Sequence, residues 1–434
     1  MTTYDKPKLF LVSLLALVTA GISFAIRGSI GSDLQSIFFN NSAELVGGAL
    51  GIAGLGFALT IAIGSPMLDY LGMGNLLTLS SVCFMAGTLV VMFAGSLASG
   101  TSVQTVVWLG MLITGIGWGL VETVINPLTV TLYPEEKTGR LNTLHAWWPG
   151  GIIIGGLIGL GLGQLGWGWQ GKLAVVLIPA TLTFLLCLTS KFPPTERIAA
   201  GLPASVMFKE VLKPFFLVWF FSMFLTAASE LAPGQWVDLA LTRTVGMRGI
   251  WLLIYVSGLM FVMRHFAGPL AHKLSPAGLL WWSSLLAGLG LFALSLANSP
   301  ITGLLAATLW GVGVCYMWPT MLAAASERFP RGGALLMGLM GTAGMLSQSF
   351  VLPLLGKVYD DSKIALAGGA DAFAKLSPAD SERILGMAAQ TSFKYAALLP
   401  VVLLFVFGAI WFYDRSRGGY RAESIAASTT SSGD

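Results

Sequence analysis

The sequence predicts an all-α polytopic membrane protein with twelve transmembrane helices in two six-helix halves. Three observations carry this. The 434 residues are 55% hydrophobic and only 10% charged, whereas a soluble domain carries about 25% charged residues. Lipid, rather than water, must therefore cover much of the apolar surface. The apolar runs are long, and about 20 residues cross a bilayer at ~1.5 Å each. They also lack the strict alternation of membrane strands. Finally, the longest connection expected on the inner side, KFPPTERIAAGLPASVMFKEVLKP from Lys191 to Pro214, is polar and Pro-containing and divides the runs six and six.

Taken in order, the runs place spans near 9–31, 44–68, 75–97, 104–130, 142–165 and 169–190, then 213–240, 249–271, 277–297, 301–325, 333–357 and 392–413. Lys6 and Lys8 precede the first run as they would in a signal peptide. No small-residue cleavage site follows and many further spans do, so it reads as a retained helix. The organisation predicted is a first half at 1–190, a cytoplasmic linker at 191–212, a second half at 213–413 and a disordered tail at 414–434.

Loop charges set the orientation. With the N-terminus inside, the inner segments hold Lys6, Lys8, Lys137, Arg140, Lys191, Arg197, Lys209, Lys213, Lys273, Arg328, Arg331, Arg415, Arg417 and Arg421, against Lys172, Arg243 and Arg248 in the short outer loops. That excess puts both termini in the cytoplasm of a plasma (inner) membrane protein. The outer connection 359–391 is long, and its Ser377-Pro378 has the form of an N-cap followed by proline at the first helical position. It predicts a short surface helix leading into the last span. SPMLDYLGMG and NPLTVTLYPEEKTGRLN in the first half are weakly echoed by GPLAHKLSPAG and WPTMLAAASERFPRGG in the second. Such an echo suits a duplicated transporter that rocks about a midplane site.

Ionisable residues inside the spans are few: Arg27, Glu122, His145, Glu230, Asp238 and Arg264. Each is costly in hydrocarbon and is expected to face a partner or a wet cavity. In GLVETVINP, Glu122 and Asn126 are four residues apart and share a helix face with Trp118. Pro127 cannot donate to the carbonyl four residues back. An aromatic plane, a carboxylate, an amide and a freed carbonyl on one stripe suit a polyhydroxylated ligand, and the carboxylate is a candidate proton carrier. The bland alternative is an ion pair between Glu122 and Arg27.

The seventh run contains ELAPGQW. Pro233 and Gly234 are expected to break or kink the helix, while Glu230, Gln235 and Trp236 supply polar and stacking groups. The alternative is a Glu230 solvated at the outer interface. His145, with Trp147 and Trp148 after it, is a candidate for donating to a ligand or relaying protons. Arg264 sits near the inner end of its run, where it can snorkel to the interface, and is assigned to gating.

Other chemistries find no support. GLGQLG, Gly161 to Gly166, matches a dinucleotide fingerprint in letters only. No strand precedes it, and the small residues around it suit close helix packing. No Ser/His/Asp or HExxH-type set points to an enzyme, and no basic stripe points to nucleic acid. Cys83, Cys187 and Cys315 stand alone without metal-ligand spacing. No metal or cofactor is expected.

The six-plus-six layout resembles the major facilitator superfamily. Its loop signature is partly kept by Ser65, Asp69 and Gly72, with Tyr70, Met73 and Gly74 where basic residues are usual; Gly268 and Lys273 fit in the second half, with His272 in place of the acid. Glu122-Thr123-Val124-Ile125-Asn126-Pro127 looks like the ETxxNP motif of the fucose–galactose–glucose:proton symporter family. Arg140-Leu141-Asn142 with His145, Arg264 with Gly268, and Pro319-Thr320 extend the match. The resemblance implies a role for Glu122 in sugar recognition and proton coupling. One departure stands out: the family's symporters carry an acid in the first span, where this chain has Arg27. A fixed positive charge there opposes proton pickup by a neighbouring carboxylate. That leaves a proton, sodium or no coupling ion open.

The expectation is therefore a monomeric secondary transporter of a sugar or similar small polar solute, coupled to a proton or sodium ion and embedded in the bilayer. Trp118, Glu122, Asn126, His145, Gln235 and Trp236 would bind the solute. Glu122, Glu230 and Arg27 would serve ion coupling, and Asp69, Arg140 and Arg264 gating. The rivals are an organic-anion carrier or exporter using Arg27, and a membrane sensor that binds solute without moving it.

Overall fold

In a computed structural model of the chain the described residues are 4–40, 43–246 and 249–423; some side chains within these helices, including those of Gln235, Trp236 and Asp238, lie outside the described residues. Twelve helical segments answer the twelve expected runs: α1 Lys6–Ser29, α2 Ala43–Leu71, α3 Met73–Met92, α4 Ser102–Leu132, α5 Lys137–Gln164, α6 Trp169–Leu188, α7 Pro214–Val245, α8 Gly249–Arg264, α9 Ala267–Leu294, α10 Pro300–Arg328, α11 Gly333–Ala367 and α12 Leu398–Ser416. The protein is an all-α, multi-pass membrane protein. Ten segments among the described residues are long and apolar enough to cross a bilayer, and Ile254–Arg264 is a shorter apolar one. On α2, Leu55, Leu59 and Ile63 form a stripe at four-residue spacing that is 51%, 53% and 60% exposed. A soluble helix would turn such a stripe inward; here it has lipid to face.

Local chemistry marks the helix ends. Asp5 accepts from the backbone N–H of Lys8 at 3.0 Å and starts α1. Ser299 and Thr302 form a reciprocal capping box ahead of α10. Ser377 accepts from the N–H of Asp380, with Pro378 at the first position, and opens the helix Pro378–Ala396 that leads into α12, as its sequence predicts. Ser275, held at φ +65° before Pro276, interrupts α9. The expected break at Pro233 is absent: α7 continues through it as one helix. Residues 424–434, within the predicted disordered tail, lie outside the described residues.

The chain separates into two compact units. One holds Met1–Phe216 with Ala325–Thr342; the other holds Leu217–Ala324 with Ala343–Ala422. In the first, glycine permits backbone-to-backbone contact. A Cβ on Gly115 of α4 would lie 2.2 Å from the carbonyl oxygen of Ala53 on α2, and one on Gly21 of α1 would lie 2.7 Å from that of Trp148 on α5. No Cβ fits at such distances, so these sites fix which helices meet. The packing expected around GLGQLG falls earlier in its run, on Gly151, Gly155 and Gly159 against α1; Gly161 has nothing close enough to touch a Cβ.

The linker residues carry two short helices, Glu196–Ala199 and Ala204–Val211. Thr195 caps the first and also donates to Asp69 Oδ1 at 2.6 Å. Arg197 pairs with Asp69 through Nε at 2.9 Å and through Nη2, with both side chains under 5% exposed. Lys137 pairs with Glu196 at 2.9 Å, and Thr138 donates to Glu327 Oε1 at 3.0 Å.

Candidate functional site

The stripe on α4 folds as its four-residue spacing requires. Asn126 Nδ2 donates to Glu122 Oε2 at 2.8 Å and to the Glu122 carbonyl at 3.0 Å. From α5, His145 Nε2 lies 2.8 Å from Asn126 Oδ1 and 4.0 Å from Glu122 Oε2. All three side chains are buried. Glu122 Oε1 takes no hydrogen bond from the described residues, so a hydrogen-bond acceptor is left open at the end of a polar chain. One asparagine thus joins two titratable groups.

Next to this chain stands an aromatic wall. Trp118 stacks on Trp148 of α5 with centroids 4.6 Å apart and planes within 10°. Phe57 meets Trp118 edge-on at 4.7 Å, and Phe24 meets Trp148 at 5.5 Å. The Trp118 indole N–H is buried without an acceptor among the described residues. An isolated donor of this kind costs about 1–3 kcal/mol until an oxygen reaches it.

Arg27 of α1 meets the stripe one turn further along, at Thr114. Its Nη1 donates to Thr114 Oγ1 at 3.3 Å and its Nε to the Ser23 carbonyl at 3.2 Å. The ion pair between Arg27 and Glu122 that the sequence allowed is not formed. Thr114 and Glu122 are two turns apart, and Glu122 is engaged by Asn126 instead.

The second unit holds a separate cluster. Arg264 of α8 donates through Nη2 to Glu230 Oε1 of α7 at 3.0 Å and through Nε to the Cys315 carbonyl of α10. Arg264 is buried rather than snorkelling, and the Glu230 side chain is only 10% exposed rather than solvated. The pairing partner explains both: two opposite charges in reach of each other are cheaper in an apolar bundle than either alone. Glu230 Oε2 is buried without a partner among the described residues. The Gln235 and Trp236 side chains lie outside the described residues.

Of the gating candidates, Asp69 is locked to Arg197 and Thr195. Arg140 pairs with Glu136 at 2.8 Å and lies over the Tyr133 ring at 4.3 Å. Thr114 and Phe24 went unread in the sequence, and Trp148 was noted only as a neighbour of His145. A signal existed for Thr114, which extends the Trp118–Glu122–Asn126 series by one more four-residue step, and for Phe24, three residues before Arg27. Trp148 became readable only once α5 was placed beside α4. Among the described residues no group of three His, Cys, Asp or Glu could hold a metal ion.

The chain is 29% identical over 164 residues to myo-inositol transporter 1 of Candida albicans, a match covering 36% of the chain and 27% of that transporter's length. Its fold is similar to that of the E. coli fucose:proton symporter, with a TM-score of 0.69 and 16% identity over 92% of this chain and 98% of the other. It is also similar to that of a human organic anion transporter, with a TM-score of 0.68 and 13% identity over 93% and 100%. At such identities the two structures speak for the fold alone. Residues 9–352 match the family model of the Major Facilitator Superfamily, and with most of the chain inside that match the protein belongs to this superfamily.

Proposed function

We propose that the chain is a secondary active transporter of a sugar or similar small polar solute, coupled to a proton or sodium ion. It works by alternating access of its halves 1–190 and 213–413, joined by the linker 191–212. It acts as a monomer in the plasma (inner) membrane with both termini in the cytoplasm. The observation that carries the reading is the Glu122–Asn126–His145 chain beside the Trp118–Trp148 stack. A polyol needs acceptors and donors beside an apolar aromatic surface, and these residues supply all three. Gln235 and Trp236, read from the sequence of α7, are the further candidates for solute binding. Glu230 joins Glu122 in ion coupling, and Asp69, Arg140 and Arg264 act in gating. Similarity to a transporter named for myo-inositol is in keeping with a polyol substrate.

The chain of three also suits proton coupling. With Glu122 ionised, Asn126 Nδ2 donates to it, so Asn126 Oδ1 accepts and His145 Nε2 carries the hydrogen. With Glu122 protonated, the amide turns over. The Glu122 O–H then donates to Oδ1, and Nδ2 donates to a His145 whose hydrogen has moved to Nδ1. Asn126 thus keeps a hydrogen bond to both Glu122 and His145 in either protonation state of Glu122.

The test is uptake of labelled hexoses and myo-inositol into proteoliposomes under an imposed proton or sodium gradient. Accumulation driven by one gradient is expected, and net flux excludes a sensor that only binds. Glu122→Gln should abolish accumulation and flatten the pH dependence of exchange. Wild-type uptake with an unchanged pH profile in folded Glu122→Gln protein refutes the role given to Glu122.

A further inference from the structure

Among the buried arginines, Arg27, Arg197 and Arg264 show the contrast that matters. Arg197 has Asp69 and Arg264 has Glu230. Arg27 is also buried, at 6% exposure, and among the described residues it donates to the Ser23 carbonyl and the Thr114 hydroxyl. A guanidinium carries five N–H donors and stays charged. Two of those donors are used here, and no carboxylate among the described residues neutralises the cation. A charge in mid-span is expensive, about 2.5–3.5 kcal/mol on the insertion scale even at its mildest. The protein spends one in the first span, without a carboxylate partner among the described residues.

The position of Arg27 bears on what kind of ligand it could meet. Thr114, its partner, is two turns from Glu122, about 12 Å along the axis of α4. Trp118 lies between them with an unsatisfied indole N–H. Along α4, therefore, come in order the cation from α1 at Thr114, an aromatic wall with a spare donor, and a carboxylate–amide pair that reaches the imidazole of α5. The carboxylate end repels anions and accepts from hydroxyls, whereas the arginine end attracts anions and binds a carboxylate through its two-pronged edge.

We infer that the solute is a hydroxylated carboxylate, a sugar acid of the uronate or aldonate type, whose carboxylate is held by Arg27 and whose hydroxyls are held by Glu122, Asn126 and His145. This rests on the sugar-transport reading above and narrows it. Arg27 becomes the specificity-determining residue that separates acidic sugars from neutral ones.

The experiment is competition and counterflow with purified protein in proteoliposomes, using labelled glucuronate, gluconate, glucose and lactate. Glucuronate or gluconate should exchange at concentrations at least tenfold lower than glucose, and lactate, a carboxylate without the polyol, should not compete. In Arg27→Gln the preference for acid over glucose should collapse by tenfold or more, and Arg27→Lys should keep part of it. Glucose exchange with the acids excluded overturns the inference and leaves sugar transport standing. Exchange of lactate as readily as gluconate overturns the polyol half of the assignment. Exchange of none of the four removes both readings. The wild-type competition decides these cases even if the Arg27 variants do not fold.

Discussion

Asn126→Ala is the perturbation that most directly probes the buried chain. It removes three hydrogen bonds, at 2.8, 2.8 and 3.0 Å. Two groups are left behind: Glu122 Oε2 without its donor and His145 Nε2 without its acceptor, in side chains 6% and 3% exposed. A stranded buried polar group costs about 1–3 kcal/mol, so the pair costs ~2–6 kcal/mol. A water admitted to the space left by the amide recovers part of this, and the lower end, ~2 kcal/mol, is expected. The assay is apparent Tm at one heating rate for wild type, Asn126→Ala, His145→Ala and the double variant, with solute affinity measured on each. His145→Ala should cost clearly less in the Asn126→Ala background than in the wild type, because its bond is already gone. A coupling of ~1 kcal/mol or more is expected. Losses that add to within ~0.5 kcal/mol, together with unchanged solute affinity in Asn126→Ala, would refute the idea that the three residues act as one unit.

Other expectations follow from the same structure. Arg197→Ala leaves Asp69 buried and unpaired, which should destabilise the protein by about 3–5 kcal/mol; pairing Arg197→Gln with Asp69→Asn should recover much of the loss in thermal melts. Gly115→Val should prevent folding, since even its Cβ collides with the Ala53 backbone, while Gly161→Ala should be silent, and size-exclusion profiles in detergent separate the two. Glu230→Gln leaves Arg264 with a neutral partner and removes a titratable group. It should abolish gradient-driven accumulation while solute counterflow persists.

Much of the fold could be read from the chain because each signal was local. A run of about 20 apolar residues can satisfy its backbone in lipid only as a helix, so all twelve segments were readable. The caps at Ser299 and Ser377 depend on neighbours three residues away and were equally accessible. Boundaries were less so: α11 runs on to Ala367 although its apolar run ends near 357, because helix continues past the point where hydropathy falls. At Pro233 the alternative of a full break did not hold, because proline removes one hydrogen bond and crowds one turn without ending α7.

Partners across helices were not readable, and the charged residues show it most clearly. Sequence alone put Glu122 and Asn126 on one face, since a four-residue spacing on a helix leaves no alternative. It could not decide whether Glu122 met Arg27 or His145, because both lie on other helices and both are chemically suitable. Tertiary structure settled that choice through glycine contacts: Gly21 against the Trp148 carbonyl holds α5 where His145 reaches Asn126. The loop signature makes the same point, since its usual basic residues are replaced by Tyr70, Met73 and Gly74. The arginine that neutralises Asp69 comes instead from position 197, in a connection that reads as a simple linker. Sequence determined the class, the number of spans and the stripe on α4, because periodicity and hydropathy act within one helix. The pairing of Arg197 with Asp69 and of Arg264 with Glu230, and the lack of a counter-ion at Arg27, were decided only in three dimensions, where the desolvation of each charge depends on which helix lies beside it.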